Sequence, residues 1–204
     1  MPSLSEVRHQ LAGFWLLVQG DARGLSHFDI SDDGVIRSFW AWLYCLPALL
    51  LYSVLRRVEF LQATADASRS SLIYCLQVMA VELAGWTIGV LAILAFGLAF
   101  GIRPLLRTLV VAINWAALAA LTLFYGPLYG LLLLPVDTTF NWLAQMAMLL
   151  STLAFLAVVF WHMLLTVMGG SWPKRAAFLL LICLPPTYIT HSLEQSMGLI
   201  APLG

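Results

Sequence analysis

Charge is what this sequence has least of. Its 204 residues carry only ten basic and ten acidic side chains, 10% of the chain, with no net charge. A soluble domain is closer to one quarter charged. With no basic excess there is nothing to draw the chain onto nucleic acid, and none is expected as a partner. Cysteine is scarce too. Cys45, Cys75 and Cys183 lie far apart inside apolar runs, without metal-ligand spacing, and read as packing residues. G-x-S-x-G, H-E-x-x-H, a phosphate loop and a dinucleotide fingerprint are all missing, so no enzyme class is indicated. The histidines His9, His27, His162 and His191 are isolated, with no i, i+4 partner for metal or haem. His162 is a candidate lone axial ligand, but a histidine bonded to a neighbour is the commoner use, and no cofactor is expected. The first twenty residues lack the basic n-region and cleavage site of a signal peptide, and Pro2 stands where myristoylation needs glycine.

What the chain does have is long apolar runs: 62% of residues are hydrophobic and the mean hydropathy is +0.93. At about 20 residues per membrane helix there is room for about five spans. The sequence predicts an all-α polytopic membrane bundle, with spans near 35–55, 72–100, 105–124, 140–168 and 176–193. Residues 1–34 form an N-terminal amphipathic helix and polar loop ahead of the bundle at 35–204. The stretch 125–135 reads as either a kinked extension or a re-entrant piece. Pro185-Pro186 removes two backbone donors inside the fifth span and predicts a broken or strongly bent helix.

Ser3 and Glu6 form a capping box. Leu4, Val7, Leu11, Phe14/Trp15 and Val18 follow at helical spacing, with Glu6, Arg8, His9 and Gln10 off that stripe. Such a helix suits the headgroup plane of a membrane, or a seat on its own bundle. The next stretch holds Asp29, Ser31, Asp33 and Gly34 in a D-x-S-x-D-G pattern that opens like a calcium loop. The twelfth position, which needs a bidentate acid, is Trp40. Asp29, Ser31 and Asp33 therefore stand as metal candidates against a plainer use of Ser31 as a helix cap. His27 is a further candidate beside Asp29.

The second run carries one carboxylate, Glu82, and then Gly85, Gly89, Gly97 and Gly101. An acid inside a span is costly and tends to be paired, solvated or functional; whether Glu82 lies deep or at the interface depends on where the span begins. Matching depth names His191 and Glu194 on the fifth span as its partners, with Glu82–His191 the expected contact. His162 falls near the other end of the fourth. The four-residue glycine steps predict close helix packing, within the chain or against another.

Arg8, Arg23, Arg37, Arg103, Arg107, Lys174 and Arg175 fall on the N-terminal side of this threading, and Arg56, Arg57 and Arg69 on the other. The positive-inside rule then makes the N-terminus cytoplasmic, in a bacterial inner membrane. Tyr125-Gly126-Pro127-Leu128, together with five spans and an amphipathic N-terminus, resembles the Yip-domain family of membrane-shaping and trafficking-associated proteins. The stretch Gly20–Trp40 is similar to the opening of small bacterial multi-pass proteins of unknown function. The interfacial N-terminal helix and the glycine groove point first to a non-catalytic membrane protein, a scaffold or accessory subunit with the lipid bilayer and a membrane-protein partner or second copy as its company. The residues themselves also admit a small transporter, or a proton- or ion-conducting protein, working through Glu82.

Overall fold

The structure is a computed structural model that describes residues 2–64, 68–122 and 138–200. The Tyr125–Gly130 motif and the question of 125–135 fall outside these. Every element among the described residues is helical. Helix α1 is Leu4–Val18, followed by a 3-10 turn at Ala22–His27 and the short α2 at Asp32–Ser38. Then come α3 at Trp40–Thr64, α4 at Ser71–Ala99, a 3-10 turn at Arg103–Leu105 and α5 at Leu106–Ala120. Two long helices finish the chain, α6 at Thr138–Met168 and α7 at Trp172–Ser196.

Three stretches among the described residues are long and apolar enough to cross a membrane: Asp32–Gln62, Ser71–Ala99 and Trp172–Ser196. Their outer faces hold rows of exposed apolar side chains, such as Leu43, Leu50 and Val54 on α3, Leu76, Leu83 and Leu91 on α4, and Leu180 and Leu184 on α7. Such rows are a liability in water and ordinary in lipid.

At the centre stands α5. Leu109, Val111, Ala112 and Asn114 have 0–1% exposure, and nearly the whole circumference of the helix is buried. Its 15 residues rise about 22 Å, and helical backbone continues through Leu121 and Thr122 at the edge of the described residues. Asn114 donates to Ser38 Oγ at 2.7 Å, tying the centre to α2. The sharp entry to α5 follows a Schellman turn at the end of α4. Gly101 takes φ +69°, Ile102 N–H reaches Gly97 O at 2.9 Å and Gly101 N–H reaches Leu98 O at 3.1 Å, which only a residue free of Cβ strain does easily. Gly97 then lets Leu106 pack directly on the α4 backbone.

Several expectations need correction. The first long helix does not stop at Arg56-Arg57; α3 runs on to Thr64, with Arg57 buried against the rings of Phe60 and Tyr74 at 5.7 and 5.1 Å. Its guanidinium donates to Arg69 O at 2.6 Å, so a charge read as a terminus is a stitch between α3 and α4. The double proline does not break α7, which is helical throughout; Thr187 and Thr190 donate to Cys183 O and Pro186 O at 2.8 Å each, bracing the turns around it. Helix α1 buries Val7, Gln10, Gly13, Phe14 and Leu17, while Leu4 and Trp15 are exposed. The buried face is rotated toward Gln10 because Gly13 and Gly24 let the helix and the following turn touch backbone to backbone.

The calcium-like loop is a helix start. Ser31 Oγ accepts from Gly34 N–H at 3.0 Å, Asp33 is an exposed residue of the first turn of α2, and Asp29 accepts from Ser31 N–H at 3.0 Å and pairs with Arg37 at 2.8 Å. Backbone crowding explains Gly34, whose Cβ would overlap Asp29. The Ser31 hydrogen bonds, then Arg37, hold the Asp29 carboxyl below its ordinary value. A depressed folded value means that the charge stabilises the fold above the unfolded value of about 3.9, and that this is lost as pH falls through the folded one. In detergent, Asp29→Asn is therefore expected to lower the unfolding temperature at pH 7, with the gap to wild type closing toward pH 3. An unchanged gap would assign the effect to shape rather than charge.

Candidate functional site

Glu82 lies eleven residues into α4, about 16 Å along the helix from Ser71. Tyr52 of α3 makes a side-chain hydrogen bond to its carboxyl group, and Arg56 and Glu194 are within its electrostatic reach. Arg56 Nη2 is bound to Glu194 Oε1 of α7 at 3.1 Å, and the Arg56 guanidinium stands 6.0 Å from the centre of the Tyr52 ring. Three helices thus supply one polar cluster of two carboxylates and a single guanidinium. Among the described residues Glu82 has no ion pair of its own.

Helix spacing explains the grouping. Tyr52 and Arg56 are i and i+4 on α3, and Glu82, Gly85, Trp86 and Gly89 share a face of α4. Below the cluster the chain is sewn shut. Tyr74 OH donates to Leu199 O at 2.9 Å, and Arg69 Nη1 donates to Met197 O at 2.9 Å and Gln77 Oε1 at 3.3 Å. Those carbonyls are presented by the turn at Gly198, φ +62°.

Above Glu82 small side chains leave space between the helices. A cavity of about 450 Å³ opens between α3, α4, α5, α6 and α7, reaching from Glu82 to Ile93 along α4 and to Leu121 at the end of α5. Among the described residues on its wall Glu82 is the only charged one; Thr187 and Thr190 add hydroxyls, and Trp42, Trp86, Phe14 and Phe160 add rings. Trp42 and Trp86 stack at 5.2 Å, 18° from parallel. Trp86 Nε1 is buried without a hydrogen-bond partner, which costs stability unless something else accepts from it.

The residues singled out from the sequence scatter around this site. Glu82 and Glu194 come together through Arg56. His191 does not join them: it is exposed and within 3.0 Å of Gln195, so the expected Glu82–His191 contact is not formed among the described residues. Thr190 is the α7 residue that faces α4 at Gly85, and one step along a helix turns the next side chain by about 100°. His162 is remote and donates from Nδ1 to Val18 O at 2.8 Å, fastening α1 to α6. Gly85 and Gly89 receive α7, with Thr190 and Pro186 over them, and Gly97 receives Leu106. No described group of three or more histidine, cysteine or acidic residues is arranged to hold a metal. Helical spacing puts Trp86 on the face of Glu82, but Tyr52, Arg56 and Thr190 were not singled out for the site; the four-residue spacing Tyr52–Arg56 was the one signal for the first two.

The Arg56–Glu194 pair is partly shielded, with side-chain exposures of 25% and 17%. A double-mutant cycle with Arg56→Ala and Glu194→Ala, read by unfolding in detergent, is expected to give a coupling of about 1 kcal/mol. A coupling near zero would show the pair to be decorative. Comparison of the chain with family models, with curated proteins and with solved structures finds no match, so the site stands on its own residues.

Proposed function

We propose that this chain is a multi-pass membrane protein acting as a small transporter, with Glu82 as the group that takes up and releases a proton. The observation that carries this reading is the position of Glu82: a carboxylate without an ion pair among the described residues, at the foot of a cavity whose other described wall residues are uncharged. A half-buried acid inside an apolar helix is expensive, and a group that exchanges a cation gives it a use.

The direction of the helices supports five passes. The end of α3 meets the start of α4 through Arg57 and Ser71. Phe100 at the end of α4 meets Phe178 near the start of α7, and Arg175 beside it binds Gly169 O at the end of α6, 3.1 Å away. Helices α3, α4 and α7 therefore alternate in direction, and α5 and α6 fit between them as a descending and a returning pass. Arg103, Arg107, Lys174 and Arg175 then share an end with α1 and α2, and Arg56, Arg57 and Arg69 mark the other. That asymmetry favours a cytoplasmic N-terminus. The glycine groove, one of the two surfaces of the scaffold reading, is occupied by α7 at Gly85 and Gly89.

The test is proton flux in liposomes loaded with a pH-sensitive dye, driven by a potassium diffusion potential. Wild type is expected to conduct above empty vesicles, with Glu82→Gln at the empty-vesicle level while eluting and unfolding like wild type. Flux that survives Glu82→Gln would remove this reading.

A further inference from the structure

The cavity above Glu82 has a composition that selects its occupant. Inorganic cations want several oxygen ligands around them, and the described wall offers one carboxylate and two threonine hydroxyls. An anion would meet Glu82 with nothing to offset it, since Arg56 is already held by Glu194. A neutral apolar molecule would fill the space and leave the carboxylate with no counter-charge. What remains is a molecule with a positive charge on an apolar body.

We infer that the cavity binds an amphipathic organic cation, its ammonium-type centre at Glu82 and its apolar body between the α5 alanines and the Trp42–Trp86 stack. This rests on the transporter reading and names the class of solute. Trp42 and Trp86 stand together on α3 and α4, one turn from the carboxylate, and give the apolar body a broad aromatic wall. Small side chains make the room: Ala116, Ala117 and Ala120 on α5, and Gly85 and Gly89 on α4. The volume of about 450 Å³ falls within the range of about 300–1,000 Å³ usual for small-molecule sites.

The test uses tetraphenylphosphonium as the cation and tetraphenylborate, of the same shape and opposite charge, as its control. Full-length protein in detergent is titrated with each, followed by tryptophan fluorescence and calorimetry. Saturable binding of the phosphonium is expected, weakened about tenfold or more by Glu82→Gln, with no saturable binding of the borate. Ala117→Phe, which fills the cavity and keeps the carboxylate, is expected to abolish binding, and it carries the test if Glu82→Gln fails to fold. Equal affinity for the two ions, no saturable phosphonium binding, or indifference to both variants would overturn the inference. Proton flux without phosphonium binding would remove this inference and leave the transporter reading standing. Phosphonium binding without flux would do the reverse.

Discussion

The close approach of α4 and α7 organises the rest of the bundle. At Gly85 there is no side chain, and Thr190 sits where one would be. Hydrophobic burial does not draw helices together inside a bilayer, so contact of this kind relies on backbone proximity and packing. Its geometry has two consequences. On one side it draws Glu194 toward Arg56 and Tyr52, building the polar cluster. On the other, the small residues continue to Gly89 and leave room beside the contact for the cavity. The carboxylate of Glu82 lies where the tight and the open regions meet.

The second constraint is the central helix. Because α5 is buried on nearly all sides, polar contacts fix what surrounds it: Asn114 at its middle is bonded to Ser38 of α2, and α1 is fastened over α6 through His162 and Val18. Charged side chains follow the same logic. Arg57 and Arg175, at 4% and 8% exposure, act as backbone caps and aromatic partners rather than as surface charges. Arg175 lies 4.9 Å from the centre of the Trp161 ring while closing the end of α6 at Gly169 and Gly170.

Much of the helix layout was legible in the sequence. Hydropathy located α4 within a residue at each end, 72–100 against Ser71–Ala99. The Ser31 cap followed from the spacing of polar residues alone. The centrality of α5 was not legible, because a helix that is apolar all round reads the same whether it faces lipid or other helices. The partner of Glu82 was missed for a related reason. Depth can be counted along a chain, but the rotation of α7 is set by its contact at Gly85, and that contact points Thr190 inward and carries His191 away. Arg56 and Arg57 were read as the end of a span because isolated arginines usually are. Their burial depends on Tyr74, Phe60 and Glu194, which lie from 3 to 138 positions away along the chain.

The most direct test of the account is chemical labelling of the protein in its membrane with a hydrophobic carbodiimide, followed by peptide mass spectrometry. Such reagents enter apolar interiors and modify carboxyl groups they meet there. If Glu82 faces an accessible cavity inside the bilayer, it is the carboxyl modified first, ahead of Glu194 bound to Arg56 and of the acids outside the spans. Labelling confined to Glu194 or to the polar loop, with Glu82 untouched, would contradict the placement on which the functional reading depends.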